Sequence, residues 1–249
     1  MIIKITSMKH ISTTFVTLFA LLLMTNPLIA QDKRTLDTKV ADLLVQVPAI
    51  DQQKLNEQMQ SMLSMEEAGL QMIMDLVIPP GTGDDTRARV AIESLSRYIS
   101  QPGMEKEQSA WEAMILQEIE KRENPYVKNF FISQLNYFGS EVSISQLTPY
   151  LTDPKLQDPV IRAIRDINPE EAAGLFVDRL QSCEGRTQIA LVNAIKNTGN
   201  SSHAEAVAAL AGSDSPELQR SVLACLAVLG NPDSYGLLKN AAKETGYLP

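Results

Sequence analysis

Few residues in this sequence could do chemistry, and they are poorly grouped. The sequence has two histidines. His10 falls within residues 1–30, set apart below as a leader, which leaves His203 for the body of the chain, beside a turn rich in Asn and Ser. A lone histidine cannot build a His-clustered metal site, and no pattern supports Ser-His or Cys-His catalysis. His203 reads as an exposed residue at a helix start. The acid pairs Glu66-Glu67, Asp84-Asp85 and Glu170-Glu171 are of the type that cleaves glycosidic bonds. Adjacent helical residues point apart, however, and each pair lies at a predicted helix N-terminus, where carboxylates favour the helix dipole. The loop Ile78-Pro-Pro-Gly-Thr-Gly-Asp-Asp85 could hold an anion on its free N–H groups, with Arg87 and Arg89 nearby. Two aspartates occupy the anion's place, no strand precedes the loop, and the Lys-Ser/Thr ending of a phosphate loop is missing. No catalytic, cofactor-binding or metal-ligating residue is assigned, no cofactor is expected, and the partner-binding residues stay unidentified.

The two cysteines invite a disulfide in an exported chain. The repeat register described below argues against one. The position equivalent to Cys183 in the unit of Cys225 is 214, eleven residues earlier. Eleven residues of helix span about 16 Å, while bridged Cα atoms lie within about 7 Å. Cys225 therefore reads as a small core residue and Cys183 as a residue at a helix start.

The elements that position these residues are helical throughout. Leu36, Val40, Leu43, Leu44 and Val47 form one face of a first helix. Asp51 caps a second helix to about Leu63, and Ser64-Met-Glu-Glu67 predicts a capping box for a third, to about Val77. Asp84 or Asp85 caps a fourth helix to about Ser100, and Gln101-Pro102-Gly103 turns into a fifth over about 104–121. The seven methionines between Met59 and Met114 fall at core-filling positions of these helices. The units over 31–123 are irregular and suit the N-terminal cap of an array.

From Asn124 onward one pattern is written four times. Leu135, Ile164, Ile195 and Leu226 lie in segments that begin at Ile132, Ile161, Val192 and Leu223 and close on Gly139, Asn168, Gly199 and Gly230, in steps of 29, 31 and 31 residues. Leu147, Phe176, Val207 and Leu238 keep the same steps on the following helices. A fixed period of roughly 20–50 residues signals a stacked array, since each pair needs neighbours to bury its apolar face. In the last unit Leu218, Val222, Leu226 and Leu229 lie on one helical stripe. A left-handed residue is expected to end each first helix, with Gly, or less cheaply Asn168, supplying it. Pro149 should end the second helix of the first unit near Thr148. The fold class is all-α: a solenoid of antiparallel helix pairs, with four units over 124–249.

Residues 1–30 read as a secretory signal peptide. Lys4 and Lys9 precede the apolar run from Phe15 to Met24, and cleavage is expected after Ala30. Removing them deletes two lysines and no acid, taking the net charge from −8 to −10. That sign disfavours nucleic acid and anionic membrane surfaces. An exported chain is expected, in the periplasm or at the cell surface, without membrane insertion after cleavage.

The segments Gln188-Ile-Ala-Leu-Val-Asn-Ala-Ile-Lys-Asn-Thr-Gly199 and Gln219-Arg-Ser-Val-Leu-Ala-Cys-Leu-Ala-Val-Leu-Gly-Asn-Pro-Asp233 resemble HEAT-type repeats. With Ile78–Asp85 and the Leu95–Ile99 helix, the chain is similar to the N-terminal module of large exported Bacteroidetes proteins. Those proteins carry a domain of the 3-keto-disaccharide hydrolase or glucanase-like type. The resemblance implies an association with carbohydrate processing and a downstream β-rich domain, which this sequence does not contain. A non-enzymatic scaffold that binds a protein partner is expected; the alternative is a truncated accessory domain of a sugar-active hydrolase. The last unit carries more apolar positions than one inward stripe needs, Val228, Tyr235 and Leu237 among them. An exposed apolar patch and self-association through the C-terminal edge are therefore expected.

Overall fold

A computed structural model describes residues 34–244. The signal peptide expected over 1–30 lies outside the described residues, as does the chain after 244. Among the described residues there are thirteen α-helices and no strand. The first five are α1 (Leu36–Val45), α2 (Gln52–Leu63), α3 (Glu66–Asp75), α4 (Thr86–Ile99) and α5 (Glu105–Lys121). Their apolar faces converge on a methionine-rich core. Met59, Met62 and Met74 are fully buried and Met65 and Met114 nearly so, bearing out the core-filling role.

The eight later helices are α6 (Pro125–Gln134), α7 (Glu141–Leu147), α8 (Gln157–Ile167), α9 (Pro169–Leu180), α10 (Gly185–Thr198), α11 (Ala204–Ala208), α12 (Pro216–Leu229) and α13 (Tyr235–Glu244). The first helix of each unit packs on the next: α6 on α8, α8 on α10, α10 on α12. Each also takes the second helix of the unit before it, so that α8 packs on α7, α10 on α9 and α12 on α11. The seam is apolar because Leu135, Ile164, Ile195 and Leu226 are all completely buried, as are Leu147, Phe176 and Val207. Leu238, the last of the second register, is half-buried.

Helix starts follow their caps where a short polar side chain holds an extended backbone. Asp51 accepts from the Lys54 amide at 2.8 Å, Asn124 from Tyr126 and Val127, and Ser215 from Leu218. One predicted start differs, while at α4 one of the two expected aspartates supplies the cap. Ser64 stays helical and binds back to Gln60 as the end of α2, so Met65 precedes α3 with no side-chain cap and Glu66 takes φ 53°. The capping box fails because an N-cap needs an extended backbone, and α2 keeps Ser64 from one. At α4, Asp84 accepts from the Thr86 amide at 3.0 Å, whereas Asp85 turns back to the Ile78 amide and Arg89.

Helix ends show a similar split. Gly199 and Gly230 both have φ 67° in the left-handed region, as expected. Asn168 does not: it is extended at φ −145°, and its side chain accepts from the Glu171 amide to start α9. Pro169 immediately after it favours an extended Asn168 and suits the first position of α9. Gly139 is also not left-handed. A Cβ there would lie 2.5 Å from Ile167 Cδ1 and 2.7 Å from the Leu135 carbonyl, so close approach is what selects glycine. Pro149 acts as expected, since α7 stops at Leu147 and a tight turn runs over Thr148–Thr152.

The C-terminal edge is better filled than expected. Leu218, Val222, Leu226 and Leu229 face inward, and Leu223, Leu237 and Leu238 are half-buried. Val228 and Tyr235 alone among the predicted patch are well exposed. The inward stripe takes most of the apolar positions, leaving two scattered residues in place of a broad patch.

Candidate functional site

The residues weighed for catalysis stay apart in function. His203 is half-buried at the end of a tight turn that leads into α11. Glu66-Glu67 and Glu170-Glu171 fall in the first turns of α3 and α9, and Glu171 also accepts from the Asn168 side-chain amide. Among the described residues, no hydrogen bond or ion pair joins these acids to one another or to His203. Both cysteines are free and buried. Burial pushes the Cys225 thiol up to about 11, with Lys196 opposing weakly, so at neutral pH it is a protonated core residue and no nucleophile.

The proline-glycine loop proves to be a closed turn. Asp85 Oδ2 accepts from the Ile78 amide at 2.9 Å and from Arg89 Nε at 2.8 Å, and Arg89 Nη2 donates to the Ile78 carbonyl at 3.0 Å. Arg89 then lies 4.7 Å over the Phe130 ring of α6. The guanidinium considered for anion binding is therefore committed to joining α4, the loop and the first repeat.

Two buried acids went unseen in the sequence. Glu118 is about 1% exposed and pairs with Arg122, one helical turn on. Arg122 Nη2 also donates to the Met74 carbonyl at 2.9 Å and Nη1 to Val77 at 3.2 Å, closing the end of α3. Gln71 Nε2 donates to Glu118 Oε1, while Lys121 and Arg122 both reach Asp75, so α3 and α5 are tied at their C-terminal ends. Burial raises the pKa of Asp75, but the Gln71 and Lys121 hydrogen bonds and the Lys121 and Arg122 charges outweigh it and hold it below the ordinary value. The second acid, Glu112, accepts from the Ser140 amide, Ser140 Oγ and Ser143 Oγ, anchoring the start of α7 to α5. The i,i+4 spacing of Glu118 and Arg122 was available as a signal. It resembles any surface pair until burial is known.

What the array adds is a face built from corresponding positions. An open cavity of about 390 Å³ is lined by Asp158 of α8, Arg186, Ile189, Asn193 and Asn197 of α10, and Glu217 of α12. Arg186 and Glu217 occupy the same repeat position, 31 residues apart in the sequence. The lining offers amide donors and acceptors, both signs of charge and two branched apolar side chains, Ile161 and Ile189. That combination suits side chains of another protein, which need several weak polar contacts around an apolar anchor. Among the described residues no group of His, Cys, Asp and Glu could hold a metal ion, and no helix is long and apolar enough to cross a membrane.

No protein-family model matches the chain, and no curated protein matches it. A crystal structure described as an engineered protein aligns with 77% of this chain and 96% of its own, at 15% identity and a TM-score of 0.35. So low a score carries no weight for fold or function.

Proposed function

We propose that the chain is an exported, non-enzymatic interaction scaffold built from HEAT-like helix pairs. One observation carries this: three successive first helices, α8, α10 and α12, line a single open cavity, with Asp158 matching Ile189 and Arg186 matching Glu217 at the 31-residue step. Arrays of this kind present extended surfaces to protein partners, because stacking repeats a face along one direction. The negative net charge, −8 over the full sequence, supports a protein partner over nucleic acid. Export rests on the apolar and basic character of residues 1–30.

The test is affinity capture with the chain and with an Ile189→Arg, Asn193→Arg double variant, each immobilised and offered the same native extract. The expected result is a protein retained by the natural chain and lost from the variant, with the helical circular dichroism of both unchanged. Equal recovery by both would remove this face from consideration. Recovery of nothing by either would count against the scaffold itself.

A further inference from the structure

Away from the repeats, α3 and α5 are fastened at one end and parted at the other. The clasp of Gln71, Asp75, Glu118, Lys121 and Arg122 holds their C-terminal ends. Toward their N-terminal ends a groove of about 520 Å³ opens, with Leu70, Trp111 and Met114 in its floor. These three are at least nine-tenths buried yet line the opening. The groove follows α5 from Lys106 to Gln117, three turns and about 16 Å of helix. Its rim carries Glu66, Glu67 and Glu107 against the single cation Lys106.

These rim carboxylates differ from the chain's other buried-edge acids. Asp75, Asp85, Glu112 and Glu118 are all spoken for by cations, amides or hydroxyls. Among the described residues, the side chains of Glu66, Glu67 and Glu107 make no ion pair or hydrogen bond. Each stands in a first helical turn, where the dipole stabilises it without a counter-cation. The rim is thus a stable excess of negative charge bordering an apolar floor. An anionic ligand would be repelled there, and a purely apolar one would leave the rim unanswered.

We infer that this groove docks a cationic amphipathic helix of a partner protein, laying an apolar edge on Trp111 and Met114 and placing Lys or Arg against Glu66, Glu67 and Glu107. A helix-in-groove contact uses anchors spaced i, i+3/i+4 and i+7, and the three-turn length accommodates all of them. This rests on the reading of the chain as an interaction scaffold, though it concerns a different face.

Trp111 is the only tryptophan in the sequence, so its emission reports on the groove. The probe is a synthetic amphipathic peptide of about 14 residues, about 21 Å as a helix, with a leucine stripe flanked by lysines; its control has glutamate for every lysine. The lysine peptide should change Trp111 emission saturably, and the glutamate peptide should not. A Glu67→Lys, Glu107→Lys variant should weaken binding by at least about tenfold, as should Ala110→Gln, which fills the groove from an exposed position without adding charge. Circular dichroism keeps folding separate from binding. Equal responses to both peptides, no response to either, or unchanged binding by both variants would overturn the assignment. The titration needs only purified chain and synthetic peptide, so its failure leaves capture by the repeat face intact, and failure of that capture leaves this result standing.

Discussion

Residues 36–123 fasten their helices with buried ions, whereas residues 124–244 stack theirs on an apolar seam. Before Glu123, Asp75, Asp85, Glu118, Arg89 and Arg122 all bridge separate parts of the chain. After it, the one ion pair among the described residues joins the sequence neighbours Arg165 and Asp166. The difference follows from repetition. In an array, each first helix meets the same kind of surface on either side, so Leu135, Ile164, Ile195 and Leu226 define the register together. The irregular half has no such redundancy, and its flexible methionine side chains fill space without specifying one arrangement. A wrong packing there would part Arg122 from the Met74 and Val77 carbonyls and Glu118 from Gln71, leaving buried polar groups unpaired. Polar keys supply in the first half the uniqueness that the seam supplies in the second.

The seam is the place to strike hardest. Leu226 is completely buried where α12 meets α10 and α11. Leu226→Ala is expected to cost about 2–5 kcal/mol in a denaturant melt, the transfer loss plus the cavity left behind. The contrast with the first half sharpens if Met59→Leu, a near-isosteric change in the methionine core, costs less than about 1.5 kcal/mol. A loss below half a kcal/mol for Leu226→Ala would mean that the seam is not what orders the array.

Next in size is the ionic key. Arg122→Ala leaves Glu118 buried beside only Lys121 and Gln71, and removes two donors to the end of α3. Breaking a buried pair costs about 3–5 kcal/mol; with two partners remaining, about 3 is expected here. The joint change Glu118→Gln, Arg122→Met should recover part of that loss, because no charge is left stranded. If the double variant were no more stable than the single one, the pair would be acting as packing and not as a key, and the comparison between the halves would fail.

The sequence disclosed the array better than it disclosed these keys, for a physical reason. Period and apolar spacing are local properties, and four copies reinforce each other, so the seam and the helix-pair architecture were legible. Caps were legible where one residue decides the backbone, as at Asp51, Asn124 and Gly230. They were misread where two neighbouring elements compete: Ser64 is claimed by the end of α2, and Asn168 by the start of α9 ahead of Pro169. Glu112 and Glu118 were invisible as buried acids because their burial depends on partners 28–31 and 47 residues away. The α3–α5 groove is equally non-local. Glu66 and Glu107 are unremarkable singly, and only the parting of the two helices gives them a shared rim.

The smallest effect expected tests the exposed edge of the clasp. Asp75 is half-exposed, with 52% of its side chain accessible, so its pairs with Lys121 and Arg122 are screened and worth about 0.2–1 kcal/mol. Its pKa is lower in the folded chain than its ordinary value, so the unfolded chain binds the proton more readily. The resulting stability is present above the unfolded carboxylate's pKa of about 3.9 and is lost as pH falls through the lower folded value. Lys121 is shifted upward, first by its hydrogen bond with Asp75 and then by Glu118. Its share is therefore present below about 10.4 and lost as pH rises through the folded value. Between those limits neither group titrates, and Asp75→Asn should cost the same at pH 6 and pH 8. Near pH 3 the cost should shrink as the natural side chain takes up its proton, which urea melts of both chains across this range would resolve. Arg122→Ala, by contrast, should remain expensive at pH 6 and pH 8 alike, since it also removes the donors to the Met74 and Val77 carbonyls. A cost of Asp75→Asn unchanged down to pH 3 would place the whole of the clasp's electrostatics on the buried Glu118–Arg122 pair.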